Sequence, residues 1–198
     1  MLYRSKVFDV MRIIGGKFRG ITLENVGKGD SEAHLRPTSD RVRESIFNLL
    51  LNGGYGNPVP DARVLDLFAG TGALGLEALS RGASNALFID DGVKSCSLIR
   101  ENINILKVVD KAEIYRRDAI KIGLTNKGQY DLLFLDPPYG KKMGETALAA
   151  CREGGWLVGG ALCVWEENAQ QIPPIGFNLL DVRKYGDTWV HILENTLI

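Results

Sequence analysis

From Arg63 onward the chain repeats one pattern: a short apolar run, a turn, and then a stretch with apolar residues at helical spacing. The short runs are residues 63–68, 85–90, 112–117, 130–136 and 161–166, and the helical stretches are 73–81, 93–107 and 144–153. Residues 130–136 are apolar without alternation, as expected for a strand covered on both faces. Alternating strands and helices close most simply as a doubly wound, mainly parallel sheet, so an α/β fold is expected. Residues 177–185 and 188–194 add a terminal β pair around Gly186-Asp187.

The segment before this repeat reads differently. Residues 11–14 and 18–26 are β-type runs around Gly15-Gly16-Lys17 and predict a hairpin or a pair of turns, followed by a polar loop over 27–36. Pro37-Thr38-Ser39-Asp40 is a helix-start cluster, and Val42, Ile46, Phe47 and Leu50 predict an amphipathic helix over 39–51. Arg41, Arg43 and Glu44 are read as lying off its apolar stripe. Residues 52–60 hold three glycines and two prolines and read as a linker. The expected division is a 1–52 extension and a 53–198 catalytic domain.

Lys plus Arg equals Asp plus Glu at 24 each, so a polyanionic partner would need a local basic patch. Residues 1–52 carry nine basic against six acidic side chains. Cys96, Cys151 and Cys163 are far apart with no C-x-x-C spacing, which argues against zinc or disulfides and suits a reducing, cytoplasmic setting. No metal site is expected. No apolar run approaches the roughly 18 residues of a membrane span.

Asp66 to Gly75 joins the first strand to the first helix, and Gly70, Gly72 and Gly75 match a dinucleotide-type fingerprint. Asp90 ends the next strand, 20 residues after Gly70, where a carboxylate can accept from two ribose hydroxyls. Such a loop fits an adenosine-containing ligand, or serves only to pack strand on helix. Asp66 tips the choice of ligand toward S-adenosylmethionine over NAD, because a buried carboxylate attracts an amino group and a sulfonium but repels a pyrophosphate. Asp118, after the third strand, is placed either to accept from an adenine amine or to cap a helix.

Asp136-Pro137-Pro138-Tyr139 closes the fourth strand, which the order of units places beside the first. An exocyclic amine on a base is a poor nucleophile, because its lone pair is delocalised into the ring. Two acceptors, the Asp136 carboxylate and the Pro137 carbonyl, could hold its protons while it pyramidalises. Pro138 keeps the preceding residue extended, and Tyr139 offers a face for an extruded base. In isolation the tetrapeptide is also a plain proline turn.

Asp136-Pro137-Pro138-Tyr139 resembles the Asp/Asn/Ser-Pro-Pro-aromatic signature of amino-group methyltransferases. Three longer stretches are more specific: Met11 to Gly16, Arg36 to Glu44, and Leu67 to Ala78. Together they resemble the bacterial 16S rRNA guanine(966)-N2 methyltransferase family over nearly the whole chain from Met11. The resemblance implies a Rossmann-like, seven-stranded, mainly parallel sheet, S-adenosylmethionine as methyl donor, a guanine N2 of 16S rRNA in the small subunit as acceptor, and a monomer. It implies Asp136 and Tyr139 as catalytic, with Pro137 beside them. Asp66, Gly70, Gly72, Asp90 and Asp118 would bind cofactor, and Phe68 and Ala119 flank them in the same loops. Asp90 stands where such proteins often have Glu, and Met1–Val10 precedes the family's usual beginning.

Arg36, Arg41 and Arg43 are candidates to grip RNA phosphates, with Lys17 and Arg19 as weaker ones. The competing expectation is that the Arg36–Asp40 stretch caps the helix and its arginines pair with Asp40 and Glu44. His34 and His191 are expected at the surface or in packing. Trp156, Trp165 and Trp189 are expected in the core. Rival functions are an adenine-N6 DNA methyltransferase, a glutamine-directed protein methyltransferase, an NAD-dependent oxidoreductase, and a non-catalytic ribosome-assembly RNA binder.

Overall fold

The computed structural model describes residues 11–25 and 39–196. Arg36 and His34 lie outside them, as do the predicted loop over 27–36 and residues 1–10. In chain order the elements are α1 (Asp40–Asn52), β1 (Arg63–Leu67), α2 (Ala73–Ser80), β2 (Asn85–Asp90), α3 (Val93–Leu106), β3 (Ala112–Arg116), β4 (Tyr130–Leu135), α4 (Met143–Glu153), β5 (Leu157–Glu167), β6 (Phe177–Tyr185) and β7 (Thr188–Asn195).

The strands form one seven-stranded sheet in the order β3-β2-β1-β4-β5-β7-β6. Strands β1 to β5 pair in parallel, and β7 is antiparallel to both its neighbours. Strand order reverses between β1 and β4, so the crevice beyond their carboxyl ends is the natural ligand site. Alternate residues feed two cores. Val64, Phe88, Phe134, Val164 and Val190 pack with Leu76, Ile99 and Phe47. Leu65, Ile89, Leu133, Trp165 and Leu193 pack with Ala147 and Leu148 of α4. Helices on both faces leave β1 and β4 almost entirely buried.

Strand β5 begins at Leu157, earlier than expected. Gly159-Gly160 reads as a breaker in the sequence. The sheet instead absorbs it in a register shift opposite Tyr130–Leu132, with Gly160 at φ +79°.

The N-terminal arm turns back on itself without forming two regular strands. Residues 11–25 make one antiparallel bridge, Arg12 to Thr22, around a 3-10 turn at Gly16–Phe18, and the Ile13, Gly20 and Leu23 amides donate across it to the Ile21, Ile13 and Met11 carbonyls. Other amides of the arm serve docking. The Ile14 and Gly15 amides donate to the two oxygens of Glu77 at 2.7 and 2.8 Å, and the Phe18 amide to Ser80 Oγ at 2.9 Å. Further on, the Glu24 amide donates to Asn102 Oδ1 at 2.7 Å. Met11, Ile13 and Leu23 share the core that holds Phe47 and Phe88.

Arg43 is a correction. It is fully buried, its guanidinium bonds the Arg12 carbonyl and Asp40, and it lies 3.9 Å from Glu77. Positions 43, 46, 47 and 50 fall at i, i+3, i+4 and i+7, so Arg43 lies on the apolar stripe, not off it. It presents no surface to a phosphate; the expected pairing with Asp40 is present, and Glu77 stands where Glu44 was expected.

His191 is buried, accepts from the Gln171 amide at 2.9 Å, and has burial pushing its pKa down, in keeping with a packing residue. Trp156 and Trp165 are core residues, whereas Trp189 is half-buried beneath Lys184. All three cysteines are buried and free, with burial pushing the Cys151 thiol up to about 12. No group of metal-ligating side chains occurs, and no helix is long and apolar enough to cross a membrane, among the described residues.

Candidate active site

The site is built on the carboxyl ends of β2, β1, β4 and β5. In register, Asp66 lies beside Phe88 on one side and Phe134 on the other, and Phe134 lies beside Val164. Residues two apart along a strand share a face. Asp90, Asp136 and Glu166 each stand two beyond a member of that row. Four carboxylates therefore gather on one face of the sheet at the strand-order reversal.

Asp66 is buried and accepts from the Gly75 amide at 2.9 Å. Burial holds its carboxyl well above the usual range. The Gly75 N–H pulls it back, and the charges of Asp136 and Asp90 push it further up. A carboxylate in that position calls for a cation. Asp90 accepts from the Gly70 amide at 2.8 Å and the Gly92 amide at 2.9 Å. Burial raises its pKa while those two N–H groups lower it. One carboxylate thus fixes both loops that would border an adenosine.

The loop from β1 to α2 needs its glycines. Phe68, Gly70 and Gly72 all have positive φ, at 55°, 57° and 78°. At Gly75 a Cβ would stand 2.4 Å from the Phe88 ring and 3.0 Å from Asp66 Oδ2. The Gly75 amide reaches Asp66 because nothing intervenes.

Asp118 caps the short 3-10 turn Ala119–Lys121, with Oδ1 accepting from the Ile120 amide at 3.0 Å. The helix-capping alternative is present, and Ala119 is buried beneath it. Asp118 remains about one-third exposed, enough to accept a second bond.

Asp136 and Tyr139 are half-buried and Pro137 is buried. Both Asp136 and Tyr139 line a cavity of ≈ 460 Å³ with Arg41 and Val42 at the start of α1, Glu166 of β5, and the β6–β7 turn at Lys184 and Thr188. That volume lies in the range of small-ligand sites. Tyr139 Oη stands 3.5 Å from Thr188 Oγ1 across it. The buried Glu167 carboxyl ties the loop down through long 3.4 Å contacts from the Gly140 amide, and burial raises its pKa.

Of the basic candidates, Arg41 is exposed and on the cavity, while Lys17 and Arg19 are exposed on the arm and are not among its lining residues. Sequence reasoning missed Lys184, Glu166 and Glu77. Glu77 had a signal, being the one charge in the apolar helix Ala73–Ser80. Glu166 had one as well, in its matching place at the end of the strand beside Asp136.

The family model described as "Conserved hypothetical protein 95" matches residues 11–194. The Ribosomal RNA small subunit methyltransferase D of Escherichia coli (strain K12) is 39% identical over 171 residues, covering 85% of this chain and 80% of that protein. The solved structure of yhhF from Escherichia coli superposes with a TM-score of 0.79 at 34% identity, covering 94% of this chain and 98% of that one. At the level of fold alone, SMU.776 complexed with SAH has a TM-score of 0.57 at 18% identity, covering 77% of this chain and 49% of that one.

Proposed function

Because this chain belongs to the family described as Conserved hypothetical protein 95, we propose that it methylates the N2 amine of a guanine in small-subunit ribosomal RNA, with S-adenosylmethionine as donor. The observation that carries the proposal is the gathering of carboxylates on one face at the strand-order reversal, beside a cavity. Asp66 and Asp90 suit a cationic adenosine cofactor, and Asp136 and Tyr139 line a cavity of ≈ 460 Å³. The relationship to a ribosomal RNA methyltransferase supports the choice of acceptor.

Bound S-adenosylmethionine would supply an electrophilic methyl group on a sulfonium. The Asp66 carboxylate would face its cationic part, with the backbone of Phe68, Gly70 and Gly72 alongside. Asp90 would accept from the ribose, and Asp118 with Ala119 would border the adenine. Tyr139 would stack on the extruded guanine. Asp136 and the Pro137 carbonyl would accept from the N2 amine and hold it in line with the methyl group. The donor would supply the methyl group to the amine nitrogen and leave as a neutral thioether, and Asp136 or solvent would accept the amine proton. Arg41, Lys17 and Arg19 would meet phosphates.

The test is transfer of a labelled methyl group to small subunits lacking native methylation, to free 16S rRNA and to duplex DNA. Label in N2-methylguanine is expected, with the rate reduced at least ~10²-fold in Asp136→Ala. Label only in DNA adenine, or full activity in Asp136→Ala, would overturn the assignment.

A further inference from the structure

Glu166 stands out among the groups that the proposed chemistry leaves unused. It is almost fully buried, yet it lines the cavity that holds Asp136 and Tyr139. Its position follows from the sheet. Strands β4 and β5 run parallel with Leu135 opposite Trp165. Asp136 follows β4 directly and Glu166 is the next residue of β5, so the two leave neighbouring strands toward the same cavity. Glu166 is in turn held opposite Val190 of β7. That pairing fixes its backbone, which suits a group that reads a ligand edge.

Two neighbouring carboxylates make a demand of whatever enters. An ionised carboxylate accepts and cannot donate. Asp136 and Glu166 together therefore ask for two adjacent donors on one edge of a flat ligand. Three common nucleobases carry an exocyclic amine. Beside the adenine 6-amine stands N1, an acceptor, and beside the cytosine 4-amine stands N3, also an acceptor. Only in guanine is the amine flanked on the Watson–Crick edge by a ring N–H. A carboxylate facing N1 of adenine or N3 of cytosine would meet a lone pair, leaving two buried acceptors opposed.

We infer that Glu166 is the specificity residue of this site, accepting the N1–H of guanine while Asp136 holds the N2 amine. This rests on the methyltransferase reading above and adds to it a source of base choice. A carboxylate has about four lone-pair directions, so contacts that Glu166 makes inside the fold leave capacity for the base. Arg41 and Lys184 line the same cavity and bring positive charge to the side where the two carboxylates stand.

The test uses 2-aminopurine, which keeps the 2-amine but presents N1 as an acceptor. Small subunits reconstituted with guanine or 2-aminopurine at the target position would be compared as methyl acceptors. The readout is the ratio of kcat/KM values, which does not depend on the fraction of enzyme that is folded. The wild-type protein is expected to prefer guanine by about a hundredfold or more. Glu166→Gln, whose amide can donate to N1, should narrow that preference at least tenfold. Glu166→Asp, which withdraws the carboxylate by one methylene, should give an intermediate ratio. An unchanged ratio in both variants, or a wild-type enzyme indifferent to the analogue, would overturn the role of Glu166 and leave the methyltransferase reading standing. A wild-type enzyme that methylates no guanine substrate would overturn both.

Discussion

At Asp66 the cost of burying one carboxylate sets a condition on what can bind beside it. Buried, and flanked by the charges of Asp136 and Asp90, it has a pKa well above the ordinary carboxylate value. Between those two values the folded chain holds a proton that the unfolded chain has lost. Stability of the ligand-free protein therefore falls as pH rises through that interval. A cation beside Asp66 reverses the balance, so cofactor binding should expel the proton and weaken as pH falls through the raised pKa. Calorimetric titration with S-adenosylmethionine in two buffers of different ionisation enthalpy should register that release, and Asp66→Asn should abolish it. Equal apparent enthalpies in both buffers throughout the acidic range would refute the linkage. Asp66 was legible in the sequence because its chemistry is local, lying nine residues from the amide it binds. Glu166 left a fainter signal, a matching place at the end of its strand, which gains meaning only once β5 is set beside the strand 30 positions earlier.

Among the elements, the arm over residues 11–25 depends most on distant partners. Its amides are received by Glu77, Ser80 and Asn102, between 62 and 78 positions away. A local reading therefore gave the turn-back of the arm but not its docking as a strap. Glu77 holds three parties: the strap amides, Arg81 at 2.7 Å, and the buried Arg43 at 3.9 Å. Glu77→Ala should cost about 3 kcal/mol, the low end for breaking a buried ion pair because Asp40 still faces Arg43. Urea denaturation would measure the loss, and trypsin should cut faster after the exposed Lys17 and Arg19. A cost below about 1 kcal/mol with unchanged cleavage would mean the strap is held by its apolar side chains. The strands of the sheet, by contrast, were readable as apolar runs, because burial on both faces leaves its mark on every residue. Strand β5 escaped that rule only at Gly159-Gly160, where a bulge and a chain break look alike in sequence.

At the scale of the molecule, formal net charge is zero, so attraction to a polyanion must come from placement. Arg41 and Lys184 reach the cavity from opposite walls, one from the start of α1 and one from the end of β6. As phosphate contacts, each should contribute about one unit to the salt dependence of RNA binding. Filter binding of 16S rRNA across a salt series should show the slope of log Kd against log salt shallower by about two in the Arg41→Ala, Lys184→Ala double variant. An unchanged slope would place the RNA elsewhere on the surface. The reversed direction of β7 is what brings Lys184 and Thr188 to this rim, since it returns the chain at the same end of the sheet where β1 to β5 finish. On the proposed reading the β1–β4 seam divides the molecule into a donor half, contiguous from Asp66 to Asp118, and an acceptor half assembled from scattered short pieces. A different acceptor would then need only a re-cut rim, with the contiguous half left untouched.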